Sequence, residues 1–212
     1  MAALANELNI HNLSELIQTY LFGQLFPDND CNPANVSLLE CPGYQGKISI
    51  YSSTSSTFYA PSDLSGTGSM QCKYIHATPT WRQEGPQYDC VFIITNPELE
   101  GMHGMDIAHV LCFFSFKTQR NHHCCAVVHW FDHIGDAPDE ATGMWMVHPS
   151  FACSKQPNIT VIHIDAIFHA AHLIPAYDRN FISPEIGPHN SYDSFHHFYI
   201  NKFVDHHAFE IV

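Results

Sequence analysis

The chain has 212 residues, of which 45% are hydrophobic and only 14% charged. That length suits one large domain or two small ones, and the composition excludes long disorder, collagen-like repeats and coiled coil. Eight Lys+Arg stand against 21 Asp+Glu, a formal charge of −13 with imidazoles neutral, and 17 histidines make that charge sensitive to pH. This balance opposes phosphate binding, to nucleic acid or to anionic lipid, because the cations are scattered singly and form neither a basic stripe nor a polybasic signal. No apolar run reaches the ~18 residues of a membrane span. The opening MAALANELNI lacks the basic region of a secretory signal, so an intracellular protein without membrane attachment is expected.

Apolar residues from Leu8 to Leu21 recur at three- and four-residue spacings and predict an amphipathic helix over about Leu13 to Leu25, with Asn12 and Ser14 as candidate caps and Pro27 beyond its end. Residues 1–27 are therefore read as an N-terminal helix. Residues 28–87, punctuated by Pro33, Pro42, Gly43, Gly46, Pro61, Gly66 and Gly68, are read as loop-rich, with short strands at Lys47–Ser52 and Thr57–Ala60. From residue 88 to 212 strand signals dominate: Cys90–Thr95, Ile107–Lys117, His122–Phe131, Met144–His148 and Ile159–Asp165. The second and third are joined by Thr118–Asn121, a hairpin-length loop, and are apolar on both faces, which places them at the centre of a sheet. Ala166–Ile174 reads as a helical turn or two, and Tyr192–Phe203 as a short aromatic helix. The expected fold is α+β: a small curled antiparallel sheet or barrel with an N-terminal helix and short C-terminal helices, residues 28–212 forming one domain.

The eight cysteines contain no C-x-x-C pair, so neither a zinc ribbon nor a thioredoxin-like site is indicated, and they are expected reduced and mostly buried. In HHCCAVVH the strand period puts His123, Cys125 and His129 on one face. Cys125 and His129 are nevertheless about 13 Å apart on a straight strand, too far to share an ion. His163 and Asp165 in VIHIDAIFHAAH, with His206 or His207 as a third ligand, have the composition of a facial triad for non-haem iron, or of a zinc site. Structural histidines are the plainer account. The polar loop DHIGDAPDEATG groups Asp132, Asp136, Asp139 and Glu140, and is read as solvated rather than as a cation site. Trp81, Trp130 and Trp145 are candidates for a ligand cage against ordinary packing. There is no G-x-S-x-G elbow, P-loop or G-x-G-x-x-G, so acyl transfer and nucleotide chemistry lack an anchor.

The ordered succession QTYLFGQLFPD, APSDLSGTG, TPTWR, GMHGM, TGMWMV with Pro149, and FVDHHAFE resembles the C-terminal region of fungal Plavaka-type transposon proteins, relatives of the KDZ transposases, over nearly the whole chain. The resemblance implies that the RNase H-like catalytic portion of such proteins, whose carboxylates hold two divalent ions, lies outside this chain. It implies an accessory module that is not an enzyme and needs no cofactor, binding a protein or chromatin partner, with an intracellular and nuclear location. Trp81, Arg82, Trp130 and Trp145 are its candidate partner-binding residues. The FFSF…HWF…GMWMV run resembles the strand pattern of BAH-type chromatin modules. QCKYIHATPTWRQ is poorer in arginine than the family pattern, which counts against DNA contact there. A DNA-binding accessory domain and a metal-dependent enzyme using His163 and Asp165 are the alternative readings.

Overall fold

The computed structural model describes residues 1–26, 36–61, 65, 67–82, 85–118, 121–177, 182, 185–187 and 191–212, with Asp193 described in its backbone alone. It is mostly β, a nearly closed, barrel-like antiparallel sheet with helices at its two chain ends. Two long strands, β6 (Met105–Lys117) and β7 (His122–His133), run as a hairpin through its centre, as the two apolar faces predict. Strand β5 (Cys90–Ile94) flanks β6 and is itself flanked by β10 (Ile167–Ala171). Beyond β7 lie β8 (Met146–Pro149), β12 (Phe198–Ile200) and β11 (Leu173–Pro175). The two central strands are long enough to hold further neighbours at their other ends, where β1 (Ile48–Tyr51) pairs with β6 and β9 (Ile159–His163) with β7. A second, three-stranded sheet is made by β2 (Ser53–Tyr59), β3 (Met70–Trp81) and β4 (Gly85–Tyr88).

The central hairpin has one irregularity with large consequences. Counting back from Lys117 opposite His122, regular pairing would set His109 against Trp130. A bulge at Leu111 shifts the register, so that Val110 faces Val128 and His109 faces His129. Because side chains alternate across a strand, the extra residue also moves Cys112 and Val110 to opposite faces. Cys112, Phe114 and Phe116 join Cys125 and Val127 on the face covered by the N-terminal helices. Val110, Phe113, Ala126 and Val128 form the opposite face, packed on Ile75, Val91 and Ile93. A third cluster, around Ile107, Phe131, Trp145, Val147 and Phe198, fills the other end.

Helix α2 spans Leu13–Leu25, the range its periodicity predicts, and is preceded by α1 (Ala2–Glu7). Leu13 and Ile17 are wholly buried and Tyr20 and Leu21 nearly so, at the i, i+4, i+7, i+8 positions of one helical face. Asn12 occupies the N-cap position, but its side chain makes no capping bond. Pro27, Pro33, Cys31 and the Gln119–Arg120 tip of the central hairpin lie outside the described residues.

Three expectations need correction. The segment 53–81, read as loop-rich with one short strand, is a long β2–β3 ribbon paired from Ser53↔His76 to Tyr59↔Met70. Ala166–Ile174 is not helical: a 3₁₀ turn at Ile164–Ala166 leads into β10 and β11, because Ile167, His169 and Ala171 alternate inward with the period of a strand. The aromatic helix expected over Tyr192–Phe203 is confined to the single turn α3 (Ser191–Ser194), after which Phe198 and Ile200 are buried as the strand β12. The last helix, α4 (His206–Ile211), follows it. All seven described cysteines are free; Cys41, Cys90, Cys112 and Cys125 are buried as expected, whereas Cys72 and Cys153 are exposed.

Candidate functional site

The structure does not gather the candidate ligands of the alternative metal reading into one group among the described residues. His163 ends β9 and its Nδ1 accepts the amide of Asp165 at 3.2 Å, 3.3 Å from the Asp165 carboxylate, which is 85% exposed. His206 is exposed on α4. His207 is buried and stacked on Phe58, with ring centroids 4.5 Å apart, and its nearest imidazole is that of His169 at 5.3 Å. Among the described residues no group of three or more His, Cys, Asp or Glu is arranged to hold a metal ion. His123 and Cys125 do share a face, but His123 packs between Phe116 and Tyr20 beneath α2.

The tryptophans stand in three different places. Trp81, at the end of β3, lies against the His76 ring at 4.0 Å and under the guanidinium of Arg82 at 5.3 Å. Arg82 itself has φ near +47°. Trp130 packs on the Val110–Val128 cluster and donates its indole N–H to Thr160 Oγ1 at 2.7 Å. Trp145 is 5% exposed, edge-on to His103 and His133. In the polar loop, Asp139 accepts from the amide and hydroxyl of Thr142 while Asp132, Asp136 and Glu140 are exposed, the arrangement of a self-supporting solvated turn.

Around Asp205 a polar cluster fastens α4 to the two sheets. One carboxylate oxygen caps the helix by accepting the Ala208 amide at 2.8 Å; the other pairs with Lys73 at 3.0 Å and lies 3.7 Å from His169 Nε2. Burial works against ionisation of Asp205, but the Ala208 amide, Lys73 and His169 outweigh it and hold its pKa below the usual value. Burial lowers the pKa of His169 and of His207, against the pull of the same carboxylate.

A cleft of about 500 Å³ lies at the junction of β6, β7, β8 and α3. Its floor is the cross-strand pair created by the bulge, His109 and His129. His109 donates Nε2–H to the carbonyl of Tyr88 at 3.2 Å, and His129 donates Nε2–H to the carbonyl of Ser150 at 2.9 Å. Burial, and then the neighbouring His129, pull the pKa of His109 down to about 4, against the Tyr88 carbonyl and Asp89. Phe131, Phe151, Tyr192 and Phe195 supply aromatic walls, and the exposed His196 and His197 stand at its edge. The Tyr192 ring lies 4.7 Å from that of His109, and burial pushes the Cys90 thiol nearby up to about 12. A thiol so held is protonated at neutral pH and no nucleophile.

These groups come from widely separated stretches of chain. His129 is marked in the sequence by its strand face, but His109 looks like an interruption of an apolar run, and only the bulge brings the two together. Among the described residues no helix is long and apolar enough to cross a membrane, a statement that does not extend to strands. No family model, curated protein or solved structure matches the chain.

Proposed function

We propose that this chain is a non-catalytic recognition module of transposon descent that binds a basic protein partner, chromatin proteins being the class its motifs favour, and that it acts in the nucleus. The observation carrying this reading is the construction of the His109–His129 cleft. Its floor imidazoles are held by main-chain carbonyls and its walls are aromatic, which suits holding a ligand in a fixed geometry. The net charge of −13 supports a basic partner over DNA. The resemblance to Plavaka-type C-terminal regions supplies the transposon ancestry.

Titration of the intact chain with core histone octamer and, separately, with duplex DNA tests the reading, with hydrogen exchange read by mass spectrometry. Octamer should protect the segments 145–151 and 191–200 at about 0.15 M salt, where exposed charges more than roughly 8 Å apart are largely screened. DNA should protect neither. Protection by DNA, or none by octamer, defeats the reading.

A further inference from the structure

The cleft floor offers acceptors and no donors. A carbonyl oxygen can only accept, so the contacts of His109 with Tyr88 and of His129 with Ser150 place a proton on Nε2 of each ring, and the neutral form of either ring then carries its lone pair on Nδ1. His148 repeats the arrangement with the opposite nitrogen, Nδ1 donating to the carbonyl of Pro149 at 3.0 Å. Neither Nδ1 of the floor pair has a hydrogen-bond partner among the described residues, and neither is among the fully buried polar atoms left without one. Directly opposed residues of an antiparallel pair have Cβ atoms about 5 Å apart, which sets the two rings side by side on one face of the hairpin.

The walls narrow the choice of ligand. Phe131, Tyr192 and Phe151 present ring faces and edges around the floor, the last 5.8 Å from His129, and no Asp, Glu, Lys or Arg is among the described lining residues. A complementary group is therefore flat, donates from one edge, and gains from aromatic rings and a negative protein. The geometry points to a guanidinium: this cleft receives the arginine side chain of a protein partner. The planar fork of arginine has two parallel N–H groups for the two Nδ1 acceptors and a face that stacks on aromatic rings. An ammonium lacks the plane, a carboxylate or phosphate brings lone pairs to lone pairs, and a neutral urea lacks the charge.

This inference rests on the recognition reading and deepens it. The test uses the intact chain with labelled imidazoles, following ring ¹⁵N shifts in titrations with N-acetyl-arginine amide, methylguanidinium, N-acetyl-lysine amide, methylurea and inorganic phosphate. Saturable shifts at His109 and His129 are expected with the first two alone, with a dissociation constant on the order of 1 mM for so small a ligand. His129→Phe keeps a ring and removes the acceptor, and Tyr192→Leu removes a wall; each should weaken methylguanidinium about tenfold while backbone spectra stay folded. Equal response to methylurea or the lysine amide, a response to phosphate in place of guanidinium, or unaltered binding by both folded variants overturns the proposal. Octamer binding with no guanidinium response defeats the inference and spares the recognition reading. The reverse result supports the guanidinium site and defeats the protein-partner reading.

Discussion

Asp205 combines two roles that substitution can separate. Its side chain caps α4 through the Ala208 amide, and its charge faces Lys73 and His169. Losing an N-cap costs about 1 kcal/mol, whereas an ion pair to a lysine as exposed as Lys73 adds little, because solvent screens it. Asp205→Ala should therefore lower the urea midpoint by the equivalent of about 1 kcal/mol, and Asp205→Asn, which keeps a capping oxygen, by much less. Equal losses in the two variants would place the stabilisation in the charge. Nothing in FVDHHAFE distinguishes this aspartate as a cap from the neighbouring histidines as ligands, since both accounts need polar residues at the same positions. In the fold His207 stacks on Phe58, His206 is exposed, and the aspartate caps α4.

The secondary-structure elements differ in how openly their sequences declare them. Helix α2 is legible to the residue because four of its buried positions, Leu13, Ile17, Tyr20 and Leu21, share one face over Cys112, Phe114, Phe116, Cys125 and Val127, with Phe22 buried off that face against Phe26. Ile17→Ala removes a fully buried side chain from that surface and should cost 2–5 kcal/mol, the range of about 2–5 for such truncations, read as a shift in the denaturant midpoint with the slope unchanged. A loss below about 1 kcal/mol would mean that α2 is loosely seated. The β2–β3 ribbon is the opposite case. STSSTFY buries only Phe58, with Thr54 and Ser56 half-buried on the same face, so its alternation carries almost no hydrophobic contrast and is indistinguishable from a polar loop. Its partner MQCKYIHATPTW is similarly open, with Met70, Cys72 and Tyr74 exposed on one face. The short strand β12 is hidden for another reason: in FHHFYI the aromatic spacing satisfies a helix and a strand equally, and only pairing with β8 and β11 selects the strand. The cleft was least legible of all, because it depends on the Leu111 bulge, which no residue type in HVLCFF announces.

Taken together, the histidines make the stability of the entire chain a function of pH, and the sign follows from where they lie. His109 in the cleft, His123 beneath α2, and His169 and His207 beneath α4 all have folded pKa values held below the ordinary 6.5, burial being the leading cause for each. As the pH falls, the unfolded chain takes up these protons first, so the stabilisation is complete above 6.5 and is lost progressively below it. For His109 the loss continues to about pH 4. A difference of that size is worth on the order of 3 kcal/mol at about 1.4 kcal/mol per unit, a large part of the stability of an ordinary domain. Asp205 acts in a lower window: its depressed pKa stabilises the fold above the ordinary 3.8 and is lost only below it. Between about pH 6.5 and 4.5 these four imidazoles are the described groups with displaced pKa values that titrate, so urea midpoints should be level above that window and fall steadily within it. His109→Phe, which removes one of the four ionisations and keeps an aromatic ring, should lower the midpoint at neutral pH by losing the bond to Tyr88 and flatten the fall beneath pH 6.5. A wild-type midpoint that stays level down to about pH 4.5 would show these rings open to water in the folded chain, and with that the locked imidazole floor of the cleft would be gone.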